Sequence, residues 1–224
     1  MPENLSRVRG RIAAAAAQAG RDVRSITLLG ASKAQPVESL RAAAALGVRD
    51  FGENYVQEGL EKIQALRGLG LTWHFIGQAQ ANKTRVLAEQ FDWIHGVDRL
   101  RIAERLSAQR PHHAPPLNVC IQVNVGGEAS KGGAAPTEVP GLATAMAKLP
   151  RLALRGLMCL PPAEDDPERQ RHWFAQVRQL LEAANAGGLG LDTLSMGMSG
   201  DLESAVLEGA TMVRVGTALF GARR

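Results

Sequence analysis

The sequence predicts an α/β protein built as a closed (β/α)8 barrel of the TIM type. Apolar strand-like runs alternate strictly with segments of helical spacing, and eight such runs fit within 224 residues. No glycine-rich nucleotide fingerprint follows the first run. Strict alternation implies a mostly parallel sheet with helices outside it, and eight units of this size match a compact barrel. The alternative with the same alternation, an open doubly wound sheet, usually carries G-x-G-x-x-G after its first strand. Here that turn reads GASKAQP at 30–36.

Leu5, Val8, Ile12 and Ala15 share one helical face, so an amphipathic helix precedes the first strand. Arginines ahead of alanines give this region a faint look of a signal peptide. Its uninterrupted apolar part, 12–17, is ended by Gln18 and falls short of the about 7–15 residues such a segment needs. The strand-like runs then follow at 26–32, 49–51, 73–77, 93–97, 117–125, 152–160, 191–196 and 212–216. Several are near-continuous apolar stretches, as in a parallel sheet covered on both faces. Between them come helical spacings such as Val37/Leu40/Ala44, Val56/Leu60/Ile63, Leu100/Ala103/Leu106 and Trp173/Val177/Leu180/Ala184. The closing TALFGARR, 217–224, is too short for a full eighth helix, so the N-terminal helix is expected to complete the outer layer. GGEASKGGAAP, 126–136, reads as a surface excursion, and no linker divides the chain. Residues 1–224 are expected to form one domain.

Composition narrows the function classes. Hydrophobic residues make up 45% and charged residues 21%, enough for a sizeable core. The net charge of +4 is scattered rather than blocked, and aromatics are 4% with a single tyrosine, Tyr55. A dedicated nucleic-acid surface is therefore not expected. Cys120 and Cys159 sit in apolar runs and read as buried reduced thiols. His112 and His113 are adjacent and lack metal-ligand spacing, so no metal is expected. No run approaches the about 18 apolar residues of a membrane span, which makes a cytoplasmic location the expectation.

Chemistry in a barrel gathers at the C-terminal ends of its strands. There the sequence places Ser32-Lys33 after the first strand, GENY (52–55) after the second, SMGMSGD (195–201) after the seventh and RVGT (214–217) after the eighth. Ser199 is expected to cap a helix beginning near Gly200, and RVGT adds a cation, a glycine for close backbone approach and a hydroxyl. Together they suit a phosphate, bound where many barrels bind one. Asp201 and Glu203 would repel it and are expected to point away. Each residue alone also has a plain reading, Ser199 as a helix cap and Arg214 as an ion-paired arginine. Lys33 at the mouth suits capture of an aldehyde by its neutral amine. By spacing alone it reads rather as an ordinary lysine reaching water along its stem.

The residues also resemble a known family, the pyridoxal phosphate homeostasis proteins. The matching stretches are ASK (31–33), DFGENYVQEGLEKI (50–63), WHFIG with QANKTR (73–85), FDWIHGVDRLRIAERL (91–106), PPLNVCIQVNV (115–125) with SKGG (130–133), LPRLALRGLMCLP (149–161) and LSMGMSGDLESAVLEGATMVRVGTALFGAR (194–223). The resemblance implies a single-domain barrel of the alanine racemase N-terminal type, PLP fold type III, with pyridoxal 5'-phosphate (PLP) as cofactor. It further implies that Lys33 carries the internal aldimine. Ser199, Gly200, Gly216 and Thr217 would line the phosphate with Arg214 close by, and Asn54 and His74 would lie near the ring. For His74 a packed core histidine is the competing reading.

The sequence departs from the family pattern in three places. Ala34-Gln35 replace the small polar residue and lysine that usually follow the cofactor lysine, Gln78-Ala79 follow WHFIG, and Gly200 follows Ser199. The loss of the second lysine puts in doubt any role of that neighbour in cofactor entry or transfer. Related racemases use a second base, a tyrosine from an additional domain of a partner subunit, and no such domain is expected here. The favoured function is PLP homeostasis without robust turnover, with no catalytic residue assigned. The alternative is a PLP-dependent racemase or another enzyme acting at the amino-acid α carbon. PLP-dependent apo-enzymes are expected as transient partners, and the protein is expected to be a monomer.

Overall fold

A computed structural model of the protein describes residues 1–128 and 131–221. Ser130 of the SKGG stretch, and Ala222 and Arg223 of the last matching stretch, lie outside the described residues. Helix α1 (Pro2–Gln18) leads through a 3-10 turn (Val23–Ser25) into β1 (Thr27–Ala31). Next come α2 (Val37–Ala45), β2 (Asp50–Glu53), α3 (Val56–Ala65), β3 (Thr72–Gln78), α4 (Thr84–Gln90), β4 (Trp93–Val97) and α5 (Leu100–Gln109). The second half runs β5 (Leu117–Val123), α6 (Val139–Met146), β6 (Leu152–Cys159), α7 (Pro167–Ala186), β7 (Thr193–Ser195), α8 (Leu202–Leu207), β8 (Met212–Val215) and α9 (Thr217–Phe220).

The eight strands close in sequence order, each parallel to its neighbours, with β8 returning to β1 through Leu29↔Arg214 and Gly30↔Val215. Each of the eight apolar runs overlaps one strand; β2 and β3 reach beyond theirs, and β5 and β7 fall two or more residues short at one end for local reasons. β5 stops at Val123 because the Asn124 side chain donates to the carbonyls of Glu128 and Lys131 and turns the chain. β7 starts only at Thr193 because Asn185, near the end of α7, holds both the N–H and the carbonyl of Leu191. The expected closure by the N-terminal helix is also observed. α1 buries Leu5, Val8, Ile12 and Ala15 and packs against α8 and the short α9.

Most of the core lies between sheet and helices, where Phe51, Phe91, Phe174, Leu40, Leu87 and Leu106 are buried. Each fully buried side chain of this kind stabilises the fold by about 1.5–3 kcal/mol. The barrel interior differs. It holds a small separate apolar cluster of Leu29, Ile76 and Met212 beside a polar seam described below. Glycine permits close strand approach, since a Cβ on Gly96 would sit 2.1 Å from the Gly77 carbonyl oxygen. Cys120 and Cys159 are free and buried, and burial pushes both thiols up to about 12. Among the described residues, no helix is long and apolar enough to cross a membrane, and no group of three or more His, Cys, Asp or Glu is placed to hold a metal ion.

Candidate functional site

A cavity of about 340 Å³ opens at the C-terminal ends of the strands, within the usual size range of small-molecule sites. Its walls bring together Lys33, Asn54, Ser199, Gly200, Arg214, Gly216 and Thr217, with Ala31, Gln35, Ile76, Leu160, Met198 and Gly221 completing the lining. Seven of the eight residues singled out from sequence therefore share one cavity. His74 does not line it.

Lys33 follows β1 in a turn whose two flanks are held from outside the barrel. Ser32 Oγ donates to Glu53 Oε1 at 2.5 Å, and the Ser32 carbonyl accepts from Lys62 Nζ at 2.6 Å. The Ala34 N–H donates to Glu58 Oε1 at 2.6 Å. Lys62, only 4% exposed, binds both carboxylates at 2.7 Å and so ties these anchors together. Burial pushes the Glu53 carboxyl above its ordinary range, against the opposing pull of Lys62 and Ser32. Ala34 adopts the left-handed conformation with φ of 59°, which disfavours a residue bearing a Cβ. The turn is thus strained and clamped together. The Lys33 ammonium lies 4.9 Å from the centroid of the exposed Tyr55 ring, a cation–π contact at the cavity rim. On the outer side of the same turn lies a larger cavity of about 660 Å³, lined by Ala34, Pro36, Glu58 and Lys62 among others, and Gln35 lines both.

The opposite wall is formed by the turns after β7 and β8. Gly197, with φ of 92°, makes a sharp turn that a Cβ would block at 2.5 Å from Ala205. Ser199 is not the expected helix cap. α8 begins at Leu202, and Ser199 lies in the preceding turn, where its Oγ accepts from the Ala218 N–H at 3.3 Å and joins the two turns. The reason is local: Asp201 bonds back to the Met198 N–H and holds residues 198–201 out of the helix. A Cβ on Gly200 would meet nothing within 4 Å, so backbone borders open cavity there. Glu203 is drawn away to Arg11 of α1, which binds its two carboxylate oxygens at 2.6 and 2.7 Å and also donates to the Ser199 carbonyl at 3.0 Å. That bond to Arg11 holds the Glu203 carboxyl below its ordinary range. Glu203 is thus directed away as expected, whereas Asp201 stays in the cavity turn on the Met198 N–H, near enough to act on Arg214.

Arg214 is 3% exposed, and burial lowers its guanidinium from its ordinary value without discharging it. It donates to the Ser195 carbonyl, to Ser195 Oγ at 2.8 Å and to the Cys159 carbonyl at 2.8 Å. These bonds use three of its five N–H groups and leave two for a ligand of the cavity it lines. His74 stands deeper in the barrel. Its Nδ1 faces His95 Nε2 at 2.9 Å and its Nε2 faces Asp50 Oδ1 at 3.1 Å. Both ring nitrogens of His74 are thus engaged by protein partners, and Ile76, two residues on, lines the cavity where His74 does not. Sequence reading also missed the Glu53–Glu58–Lys62 clamp. Its one visible signal was the four-residue spacing of Glu58 and Lys62 on a helix.

Comparison with known proteins gives the family. The model of the alanine racemase N-terminal domain family matches residues 4–224. The chain belongs to this family. Within it, the chain is 58% identical over 221 residues to the pyridoxal phosphate homeostasis protein of Pseudomonas aeruginosa, covering 99% of this chain and 95% of that one. It is 51% identical to the protein of that name from Escherichia coli K12, covering 98% and 95%. Among solved structures, PipY of Synechococcus elongatus with PLP bound superposes with a TM-score of 0.83 at 36% identity, covering 96% of this chain and 100% of PipY. Alanine racemase from Corynebacterium glutamicum shares the fold at 16% identity and a TM-score of 0.69, with 95% of this chain matching 59% of the racemase.

Proposed function

We propose that this member of the alanine racemase N-terminal domain family binds pyridoxal 5'-phosphate through Lys33 and serves PLP homeostasis rather than amino-acid turnover. One observation carries the reading: the Lys33 amine and the Ser199, Gly200, Arg214, Gly216 and Thr217 cradle line a single cavity. The residues suit the cofactor, because a primary amine faces a wall of glycine, hydroxyl and guanidinium that matches a phosphate ester. When bound, PLP supplies an aldehyde and an electron-withdrawing ring. Lys33 then provides the attaching amine, held in place by its clamped turn. Ser199, Gly200, Gly216 and Thr217 accommodate the phosphate, mostly through backbone N–H groups. Arg214 contributes a fixed positive charge, and Asn54 a neutral polar contact. Names of relatives and the PLP-bound relative support this assignment.

The carrier reading over the racemase reading rests on the cavity lining. Among the described residues, its ionisable side chains are Lys33 and Arg214 alone. An arginine stays protonated and serves poorly as a base, so among the described lining residues no second base faces Lys33; Tyr55 stands outside the lining, its exposed ring against the Lys33 ammonium at the rim. Residues 1–224 act as one PLP-binding domain in this reading, since α1 and α9 at its two ends pack together. The protein works as a cytoplasmic monomer that passes PLP transiently to apo-enzymes.

Borohydride reduction of the PLP-loaded protein followed by peptide mapping tests the attachment. A pyridoxyl group on Lys33, and loss of the yellow colour in Lys33→Ala, are the expected results. A wild-type protein that takes up no PLP, or label on another lysine, refutes the assignment. Single-turnover exchange of the α-hydrogen across a panel of amino acids tests the carrier reading, and exchange at about 1 s⁻¹ or faster overturns it.

A further inference from the structure

The seam inside the barrel links five side chains, one each from β8, β7, β4, β3 and β2: Arg214, Ser195, His95, His74 and Asp50. Hydrogen-bond chemistry fixes where each proton sits. A guanidinium has no acceptor, so Arg214 donates to Ser195 Oγ. At the other end the Asp50 carboxylate only accepts, so a neutral His74 donates from Nε2 and accepts at Nδ1 from His95. This leaves His95 Nδ1 to accept the Ser195 hydrogen, at 2.8 Å. A neutral His95 that accepts at Nδ1 carries its hydrogen on Nε2 and donates to His74 Nδ1, at 2.9 Å. His74 in turn carries its hydrogen on Nε2 and donates to Asp50 Oδ1, at 3.1 Å. With a carboxylate at one end and a guanidinium at the other, the chain has one direction.

We propose that Asp50 is the remote counter-ion of Arg214, and that Ser195, His95 and His74 are positioning residues that transmit its charge and fix the guanidinium at the cavity wall. Among the described residues no carboxylate forms a salt bridge with Arg214; its protein acceptors are two carbonyls and a hydroxyl, and Asp201 of the cavity turn acts on it only through space. Ser195, His95 and His74 are wholly buried, whereas the Asp50 side chain is 26% exposed, at the first residue of β2 and so at the barrel end away from the cavity. Aligned dipoles across a water-free interior let such a chain stabilise a buried cation that touches no acid. Burial drives His95 well below its ordinary value, with the nearby His74 and Arg214 adding to the shift, and burial also lowers His74, so both rings stay neutral as the chain requires.

The test uses the full-length protein, first without cofactor. Nitrogen-15 NMR of the histidine rings at neutral pH is expected to show His74 and His95 as neutral rings protonated at Nε2. A ring protonated at Nδ1, or an imidazolium, at either position overturns the proposed order. Asp50→Ala, at the end of the barrel remote from the cavity, is then expected to change the His95 signature and weaken PLP binding by roughly tenfold, the scale of lost support behind a ligand-holding group. Unchanged His95 nitrogens, or an unchanged PLP affinity in a variant with altered tautomers, refutes the positioning role. Should Asp50→Ala fail to fold, Ser195→Ala makes the same two measurements. The affinity arm rests on the PLP reading of the cavity and the tautomer arm does not, so a wild-type protein that ignores PLP would overturn that reading and leave the tautomer result to judge the relay.

Discussion

Replacing Glu58 by alanine isolates one arm of the clamp on Lys33. The Glu58 side chain is 27% exposed, and its Oε1 accepts from the Ala34 N–H at 2.6 Å and from Lys62 at 2.7 Å. A hydrogen bond to a charged group contributes about 1.5–3 kcal/mol, and the partial exposure argues for the lower part of that range, about 2 kcal/mol. Ala34 meanwhile holds a left-handed backbone that costs about 1–2 kcal/mol, so without its carboxylate the turn relaxes. For a chain of this size about 2 kcal/mol lowers Tm by roughly 4–8 °C. Calorimetry reads that change, and the rate of borohydride trapping of PLP on Lys33 reads the loosened turn. Glu58→Gln keeps an oxygen acceptor for the Ala34 N–H and is expected to recover most of the trapping rate. If Glu58→Ala matches the wild type in both Tm and trapping rate, the clamp does not position Lys33.

Removing Lys62 is expected to cost more. Lys62→Met strands Glu53, which is fully buried and whose Oε2 already has no partner, and breaking a buried pair from one side costs about 3–5 kcal/mol. Glu53→Gln combined with Lys62→Met should recover part of that loss in urea unfolding; a double variant as unstable as the single one contradicts the charge argument. Acid sensitivity follows from the two interior histidines. Burial depresses the folded-state pKa of both, so their contribution is full above the unfolded value of about 6.5 and is lost as pH falls below it. The slope reaches at most about 1.4 kcal/mol per pH unit for each ring, and equal unfolding midpoints at pH of about 7.5 and 5.5 would contradict it. Gly200→Val points a side chain into open cavity; it should leave Tm nearly unchanged while lowering PLP affinity about tenfold or more. Wild-type affinity in that variant would place the ligand elsewhere.

The barrel was legible because a parallel sheet covered on both faces writes its strands as apolar runs, and these alternate with helical spacing along the whole chain. The cavity residues at the strand ends were legible for the same reason, since the end of an apolar run marks the mouth of the barrel. His74 shows where that logic stops. Alternation turns His74 and Ile76 to the same side of β3, but their height in the barrel depends on register, with His74 level with Gly52 and Trp93. Register is set by closure of the whole sheet and leaves no local mark. Ser199 failed differently, because serine before a helix resembles a cap whether the helix starts one residue later or three. The clamp was hidden because Glu53 and Ser32, 21 residues apart in sequence, meet only once β1 and β2 are paired.

The bond from Arg11 to the Ser199 carbonyl and to Glu203 makes the start of the chain a tether for the far wall of the cavity. The turn at 198–201 has little regular structure of its own and borrows its rigidity from α1. Its resistance to local opening should therefore follow that of the first helix rather than that of β7, although β7 is its neighbour in sequence. In hydrogen exchange the amides of 198–201 and of α1 would then loosen together, and fraying of the chain's beginning would release a bound phosphate while the barrel itself remained closed.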